Sequence, residues 1–335
     1  MSMTSVGDRS LQFNTMRATT QIKTRLSVLT DEMSSGVAHD LTGHLRGDTA
    51  RLADVDRRLN LISGFTSTAA EAGQALTAMQ TTLQGVESTR SQLAAQLVAL
   101  PSSAMPNQIN NSIGSGRAAF DNIVRAMNTT LGNRSLFSGN ATDTIPLAEP
   151  DMMIASLSFA VSGAVTANDV QTAIDTWFNS PTGGFATMAY QGDTGQALTR
   201  RVDSDVSVKL DGRADDPAIR DLLKAAATAA LAGDPGLTLT DTVKSELLRS
   251  AGLQLLSAAQ PLVNIQARLG ISEQTVEETT VRQTAQKTAY GIMRNTLVSA
   301  DPYDTAAELQ QVQKQLETHY TLTARLSKLS LVEYI

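Results

Sequence analysis

The chain has 335 residues, of which 41% are hydrophobic and only 4% aromatic, with a single Trp at position 177. That is enough apolar material for a packed core, and it consists mostly of Ala, Leu, Val and Ile, the mixture of slender helical cores. A net charge of −6 without any Lys/Arg-rich cluster argues against nucleic acid and anionic membranes as partners, and the absence of Cys excludes disulfides, thiolate nucleophiles and Cys-ligated metals.

No apolar run reaches the length of a transmembrane helix. The stretch Met1 to Asn14 is polar, carries Asp8 and Arg9, and lacks the apolar core of a secretory signal. Ordinary export rules would place such a chain in the cytosol.

No proline occurs before Pro101, which permits long helices. Ala18, Ile22, Leu26, Leu29 and Met33 follow at steps of four, four, three and four, and so share one helical face. Ser34-Ser35-Gly36 breaks that pattern. A second helix is predicted from Thr49 to Leu100. Its seam runs through Leu52, Val55, Leu59, Ile62, Phe65, Ala69, Ala72, Leu76, Met79, Leu83 and Val86 to Leu93, Leu97 and Leu100. Arg90 interrupts this seam once. A third helix begins after Pro101 and Pro106, with Ile109, Ile113, Phe120, Ile123 and Met127 in near-heptad order. It is predicted to end at Gly132-Asn133 as a C-cap.

The character changes after Leu136. Residues 140–236 hold five of the nine prolines and turns such as Pro181-Thr182-Gly183-Gly184. Val206, Val208 and Leu210 alternate with polar residues, as in a half-buried strand. Asp215-Asp216-Pro217 then opens an Ala-rich helix. From Asp241 the helical pattern returns, with Leu248, Ala251, Leu255, Ala258, Leu262, Ile265, Leu269, Ser272 and Val276 at heptad steps, and Pro261 marking a kink or break. A last helix after Asp301-Pro302 carries Leu309, Val312, Leu316, His319, Thr323 and Leu326.

The expected fold is mainly α: a long antiparallel coiled coil or bundle from both chain ends, with a small inserted α+β domain. The boundaries are 1–45 plus 300–335 for a terminal helical region, 46–139 plus 237–299 for a helical rod, and 140–236 for the insertion. The terminal seams should lack partners until a neighbouring subunit supplies them.

No constellation of catalytic residues stands out. His39 and His44 flank Asp40, but a spacing of five does not stack on one helix face, so metal binding is the weaker reading. Gly192-Asp193-Thr194-Gly195 has the D-T-G of an aspartic-protease loop without a second such triplet, and a turn is the better reading. Neither a phosphate loop, a dinucleotide fingerprint nor a nucleophile elbow is present. The chain reads as a non-enzyme without cofactors.

Leu29-Thr30-Asp31-Glu32-Met33-Ser34-Ser35-Gly36 resembles the short leucine helix ending in Ser-Ser-Gly of the flagellin family. Ala267-Arg268-Leu269-Gly270 and Ala300-Asp301-Pro302-Tyr303-Asp304-Thr305-Ala306-Ala307-Glu308-Leu309 are similar to that family's returning helix and to the entry of its last helix. Asn133-Arg134-Ser135-Leu136-Phe137-Ser138-Gly139 and Tyr190-Gln191-Gly192-Asp193 resemble its outer-domain motifs. The ending Leu329-Ser330-Leu331-Val332-Glu333-Tyr334-Ile335 is similar to the branch found where hook meets filament. Val37-Ala38-His39-Asp40 replaces the family's Arg-Ile continuation, which counts against filament flagellin itself.

This resemblance implies a structural subunit of the bacterial flagellum, exported without a cleaved signal peptide to the extracellular hook–filament junction. It implies an assembly interface at Ile22, Leu26, Leu29, Met33, Leu309, Val312, Leu316 and Leu326. It also implies a chaperone-binding segment at Leu329, Leu331, Tyr334 and Ile335. The partners would be copies of itself, the preceding hook-associated protein, flagellin and a cytoplasmic export chaperone, with neither nucleic acid nor membrane. Filament flagellin, or a cytosolic helical adaptor coiled coil, are the alternatives.

Overall fold

The computed structural model describes residues 6–101 and 103–332, and for 6–9, 11, 12 and 326–332 the backbone course alone. In chain order the elements are α1 (Val6–Ser35), α2 (Leu41–His44), α3 (Ala50–Val98), α4 (Pro106–Met127), β1 (Thr130–Leu131), β2 (Arg134–Ser135), α5 (Pro150–Val161) and α6 (Ala167–Asn179). A π-helical turn at Phe185–Ala189 follows. Then come β3 (Leu198–Arg201), β4 (Ser207–Leu210), α7 (Pro217–Leu231), α8 (Asp241–Ser257), α9 (Ala259–Val298) and α10 (Pro302–Val332). The fold is mainly α, with two small antiparallel hairpins in the middle of the chain. Two compact units result: residues up to Ser63 together with those from Thr284, and Gly64–Gln283.

In the second unit, the heptad seam of α3 is buried from Ala69 to Leu97 against the seam of α8 and α9. The pairing is antiparallel. Gln80 Nε2 donates to the carbonyl of Gln266 at 2.8 Å, and Thr66 Oγ1 donates to Gln283 Oε1 at 3.2 Å. Pro261 sits in the first turn of α9, where an amide has no intrahelical acceptor, so the helix breaks just before it at Ala258. Arg90 explains its own place in the seam. Its guanidinium, 6% exposed, donates from Nη1 to the Leu255 carbonyl at 2.9 Å beside that break, and its other nitrogens hold the Glu87 carboxylate at 2.6 and 2.7 Å. The buried charge is thus paired and hydrogen-bonded, which offsets its desolvation at a seam position.

The core of the same unit is built around α7. Asp216 caps it by accepting the Ala218 N–H, with Pro217 in its first turn, as Asp-Asp-Pro foretells. Ten of its fifteen residues are buried, because α4, α5, α6 and α8 pack around it. Ala dominates because the neighbours come close. A Cβ built on Gly116 of α4 would lie 2.5 Å from the Ala229 Cβ and 3.0 Å from backbone atoms of Ala229 and Ala230.

The end of α4 differs from the sequence expectation. The helix stops at Met127, where the Asn128 N–H bonds the Val124 carbonyl. Gly132 and Asn133, with φ of +56° and +62°, instead form the two-residue turn between β1 and β2. That pair suits a type I′ hairpin turn, which needs two left-handed residues, whereas a helix end needs one. The strand signature at Val206–Leu210 is present as β4, paired with β3 from Leu198↔Leu210 to Arg201↔Ser207, with Val208 and Leu210 turned inward.

Candidate assembly surface

The first unit brings the two chain ends together. Helices α1 and α10 run antiparallel: Arg25 pairs with Glu308 at 2.7 Å, and Thr19 Oγ1 meets His319 Nδ1 at 3.3 Å. Lys23 stands over the Tyr320 ring at 5.8 Å. The Glu308 hydrogen bond raises the Arg25 pKa above its ordinary value, but both groups are about half exposed, so the pair adds little stability. Alignment rests on the apolar stripe instead. Leu29 is fully buried and Val312 nearly so. Ile22, Leu26, Leu309 and Leu316 are half-buried, and Met33 is exposed. At its centre the stripe therefore closes on its own chain. The expectation that these seams lack any partner within one subunit is corrected to that extent, because one antiparallel helix already covers the middle of each. Leu326, Leu329 and Leu331 have side chains outside the described residues, and Tyr334 and Ile335 lie outside them altogether.

Two backbone hydrogen bonds staple the pair at its inner end. The Ala38 N–H donates to Val298 O at 2.9 Å and the Ala300 N–H to Gly36 O at 3.0 Å, around an isolated bridge between Val37 and Ser299. Both connections are set locally by sequence. Ser-Ser-Gly ends α1, with the Gly36 N–H on the Glu32 carbonyl, and Asp301 starts α10 by accepting the Tyr303 N–H at 2.8 Å. The start of α3 and the end of α9 carry Asp56–Arg294 at 2.8 Å and Arg58 over the Tyr290 ring.

What a pair of helices cannot do is cover both of its faces. Phe13, Met16, Tyr320 and Leu322 are exposed on α1 and α10, and Tyr303 more so. A shallow groove of about 520 Å³ lies at Leu322, lined also by Ile22, Lys314 and His319 among others. This is an apolar surface with scattered charge, suited to receiving another helix.

The remaining candidates have structural places. His39 and His44 are both exposed, and Asp40 between them accepts the Gly43 N–H to cap α2. Among the described residues, no group of three or more His, Asp or Glu gathers as a metal site would. Asp193 closes a turn: Oδ1 accepts the Gly195 N–H at 2.9 Å, Oδ2 accepts Asn140 Nδ2 at 2.9 Å, and its carbonyl accepts the Tyr190 hydroxyl at 2.8 Å.

The Gly195 amide, followed by Asn140, holds the Asp193 carboxyl below the ordinary aspartate pKa. Its contribution to the turn is therefore complete above the unfolded-state value and is lost as pH falls through the folded one. A carboxyl-carbon NMR titration of Asp193 is expected to show a midpoint below that of an exposed Asp. Asp193→Asn keeps the acceptor and should leave incorporation into any assembly unchanged. A normal or raised midpoint, or a lost hydrolytic activity in Asp193→Asn, would refute the turn assignment.

Sequence reasoning missed one set of buried polar residues. Gln283, 1% exposed, donates from Nε2 to the Val202 carbonyl at 2.6 Å while accepting from Thr66, and Thr279 is buried one turn before it. They continue the heptad steps from Val276 by three and four residues, a signal that was available once polar side chains were allowed at seam positions.

Residues 245–335 match the family described as the bacterial flagellin C-terminal helical region. The chain is similar in fold to a solved structure from Vibrio parahaemolyticus, provisionally described as a flagellar hook-associated protein. The TM-score is 0.52 at 13% identity, covering 74% of this chain and 96% of that one. No curated protein matches the sequence at a significant level. Among the described residues, no helix is long and apolar enough to cross a membrane.

Proposed function

We propose that this chain, whose C-terminal helical region is that of the bacterial flagellins, is a structural, non-enzymatic subunit of the flagellum that joins hook to filament. The observation that carries the proposal is the union of that C-terminal region with α1 in one antiparallel pair, still exposing apolar side chains along both helices. The stripe of Ile22, Leu26, Leu29, Met33, Leu309, Val312, Leu316 and Leu326 aligns the pair and joins it to copies of itself. The preceding hook-associated protein lies below and flagellin above. The segment with Leu329, Leu331, Tyr334 and Ile335 engages a cytoplasmic chaperone before export to the cell exterior.

Electron microscopy of cells lacking the protein tests this reading. Hooks without filaments, and flagellin released to the medium, are expected. Filaments of normal length and number on such cells would overturn it, and filaments lost together with thousands of copies of this chain would make it filament flagellin.

A further inference from the structure

Helices α6, α7 and α8 pack on one another in the 64–283 unit but leave a polar recess of about 500 Å³ between them, open to solvent. That volume lies within the ~300–1,000 Å³ of small-molecule sites. Helical spacing aims polar side chains at it from all three helices. Asp221, Lys224 and Thr228 follow at steps of three and four on α7. Thr172, Asp175 and Thr176 share a face of α6, and Gln254 and Ser257 lie one turn apart on α8.

The charge of the recess is unbalanced. Lys224 Nζ stands 3.0 Å from Asp175 Oδ1 and 3.0 Å from Asp221 Oδ1. Burial works against its charge, but its hydrogen bonds to the two carboxylates outweigh that and raise its pKa above the ordinary lysine value. One ammonium against two carboxylates leaves one negative charge in excess. Lys224 engages a single oxygen of each carboxylate, and the second oxygen of each stays open.

Hydrogen-bonding capacity is skewed the same way. Three hydroxyls of the wall spend their hydrogens on their own helices. Thr176 Oγ1 donates to the Thr172 carbonyl, Thr228 Oγ1 to the Lys224 carbonyl and Ser257 Oγ to the Gln254 carbonyl, each at 2.8 Å. What they have left for the recess is lone pairs. Gln254 Oε1 is buried without a partner, an acceptor whose desolvation nothing in the chain offsets. Fewer donors oppose these acceptors: the third N–H of Lys224, the Thr172 hydroxyl and the Asn168 amide.

An excess of acceptors together with an excess negative charge is complementary to a cation rich in N–H donors. We infer that this recess binds a small aliphatic amine, its ammonium group held by the carboxylates of Asp175 and Asp221 and by the lone pairs of the wall hydroxyls and Gln254. Both carboxylates are about half exposed, so binding is modest and weakens with salt. The site does not depend on the proposed place of the chain in the flagellum.

Titration of the full chain with butane-1,4-diamine tests this, followed by the side-chain amide NMR signals of Gln171 and Gln254 in the wall. Butane-1,4-diol serves as the neutral probe of the same length. Saturable shifts of both amides with the diamine, and none with the diol, are expected. Asp221→Asn should weaken binding roughly tenfold, as loss of one of two carboxylates facing an ammonium requires. Asp143→Asn, which removes the same charge from an exposed loop, should leave it unchanged. Gln254→Leu, read at Gln171, should weaken binding while holding or raising Tm, because it removes an orphaned acceptor. A lowered Tm with unchanged binding would make Gln254 a structural residue and overturn its part in the site. Equal shifts with the diol would make the recess a general polar groove, and equal weakening by Asp143→Asn would reduce it to diffuse surface attraction. Shifts of the same amides on raising the protein concentration without amine would assign the recess to a lysine of another copy, and no shift at all would mean that it holds only water. Any of these four results removes the amine site.

Discussion

Leu29→Asp combined with Val312→Asp abolishes incorporation at the hook tip and leaves the melting of the 64–283 unit where it was. Leu29 is fully buried and Val312 nearly so in the α1/α10 pair. Each apolar side chain contributes roughly 1.5–3 kcal/mol by its burial, and a carboxylate in its place adds a desolvation cost. These are the two fully or nearly fully buried apolar side chains of the stripe, the ion pair is half exposed, and isolated helices are marginal in water. Every copy in an assembly carries the same defect. Two measurements belong together: labelling of sheared appendages, and calorimetry with limited proteolysis of the monomer. The expected result is no label, faster trimming of both chain ends, and an unchanged main transition. Normal incorporation would remove the terminal stripe from the assembly surface. A collapsed main transition would make the stripe ordinary core.

Gly116→Leu has the opposite signature. Even a methyl at position 116 would sit 2.5 Å from the Ala229 Cβ, and the nearest other atoms are backbone, which cannot turn aside. Helices α4 and α7 must separate, which opens the core around α7. The cost should be about 3 kcal/mol, the upper part of the usual range for overpacking. In a unit of this size that lowers Tm by roughly 6–12 °C. Proteolysis of α1 and α10 should be unaffected. Gly116→Ala with Ala229→Gly moves the missing methyl from one helix to the other and exchanges one helical glycine for another, so it should recover much of the loss, the remainder coming from the 3.0 Å approach of the new Cβ to the backbone at Ala229 and Ala230. An unchanged Tm for Gly116→Leu would mean that the two helices do not approach as described.

The seams were legible because they are buried by one partner along one line, which is the condition for a heptad to show. The seam of α3 is recovered almost residue by residue, and Asp216 and Asp301 announce the helices that they cap. Legibility failed where burial comes from several sides. Helix α5 carries apolar residues on its buried and its exposed side alike, so it has little contrast to read. Helix α6 carries a readable signal: Thr166 and Asp169 form a capping box ahead of Val170, Ile174, Trp177 and Phe178. Gly132-Asn133 misled because a left-handed residue pair serves a hairpin as well as it marks a helix end. At the candidate assembly surface the sequence located the stripe on α1 and α10. It could not tell that Leu29 is sealed within the subunit while Met33 stays open, because both lie on the same face and differ only in how far along the partner helix they fall.

The partners in the terminal pair are as far apart in synthesis as the chain allows. Thr19 and His319, which touch, are separated by 300 positions. At ~5–20 residues per second a ribosome takes roughly 15–60 s to travel from one to the other, whereas a helix folds within about a microsecond. Helix α1 is thus born long before α10, which covers it, and it waits with its stripe uncovered while everything between is made. Any factor that engages a nascent α1 competes against a clock rather than against an affinity, and moving α10 earlier in the chain by circular permutation would shorten that clock without altering a single contact.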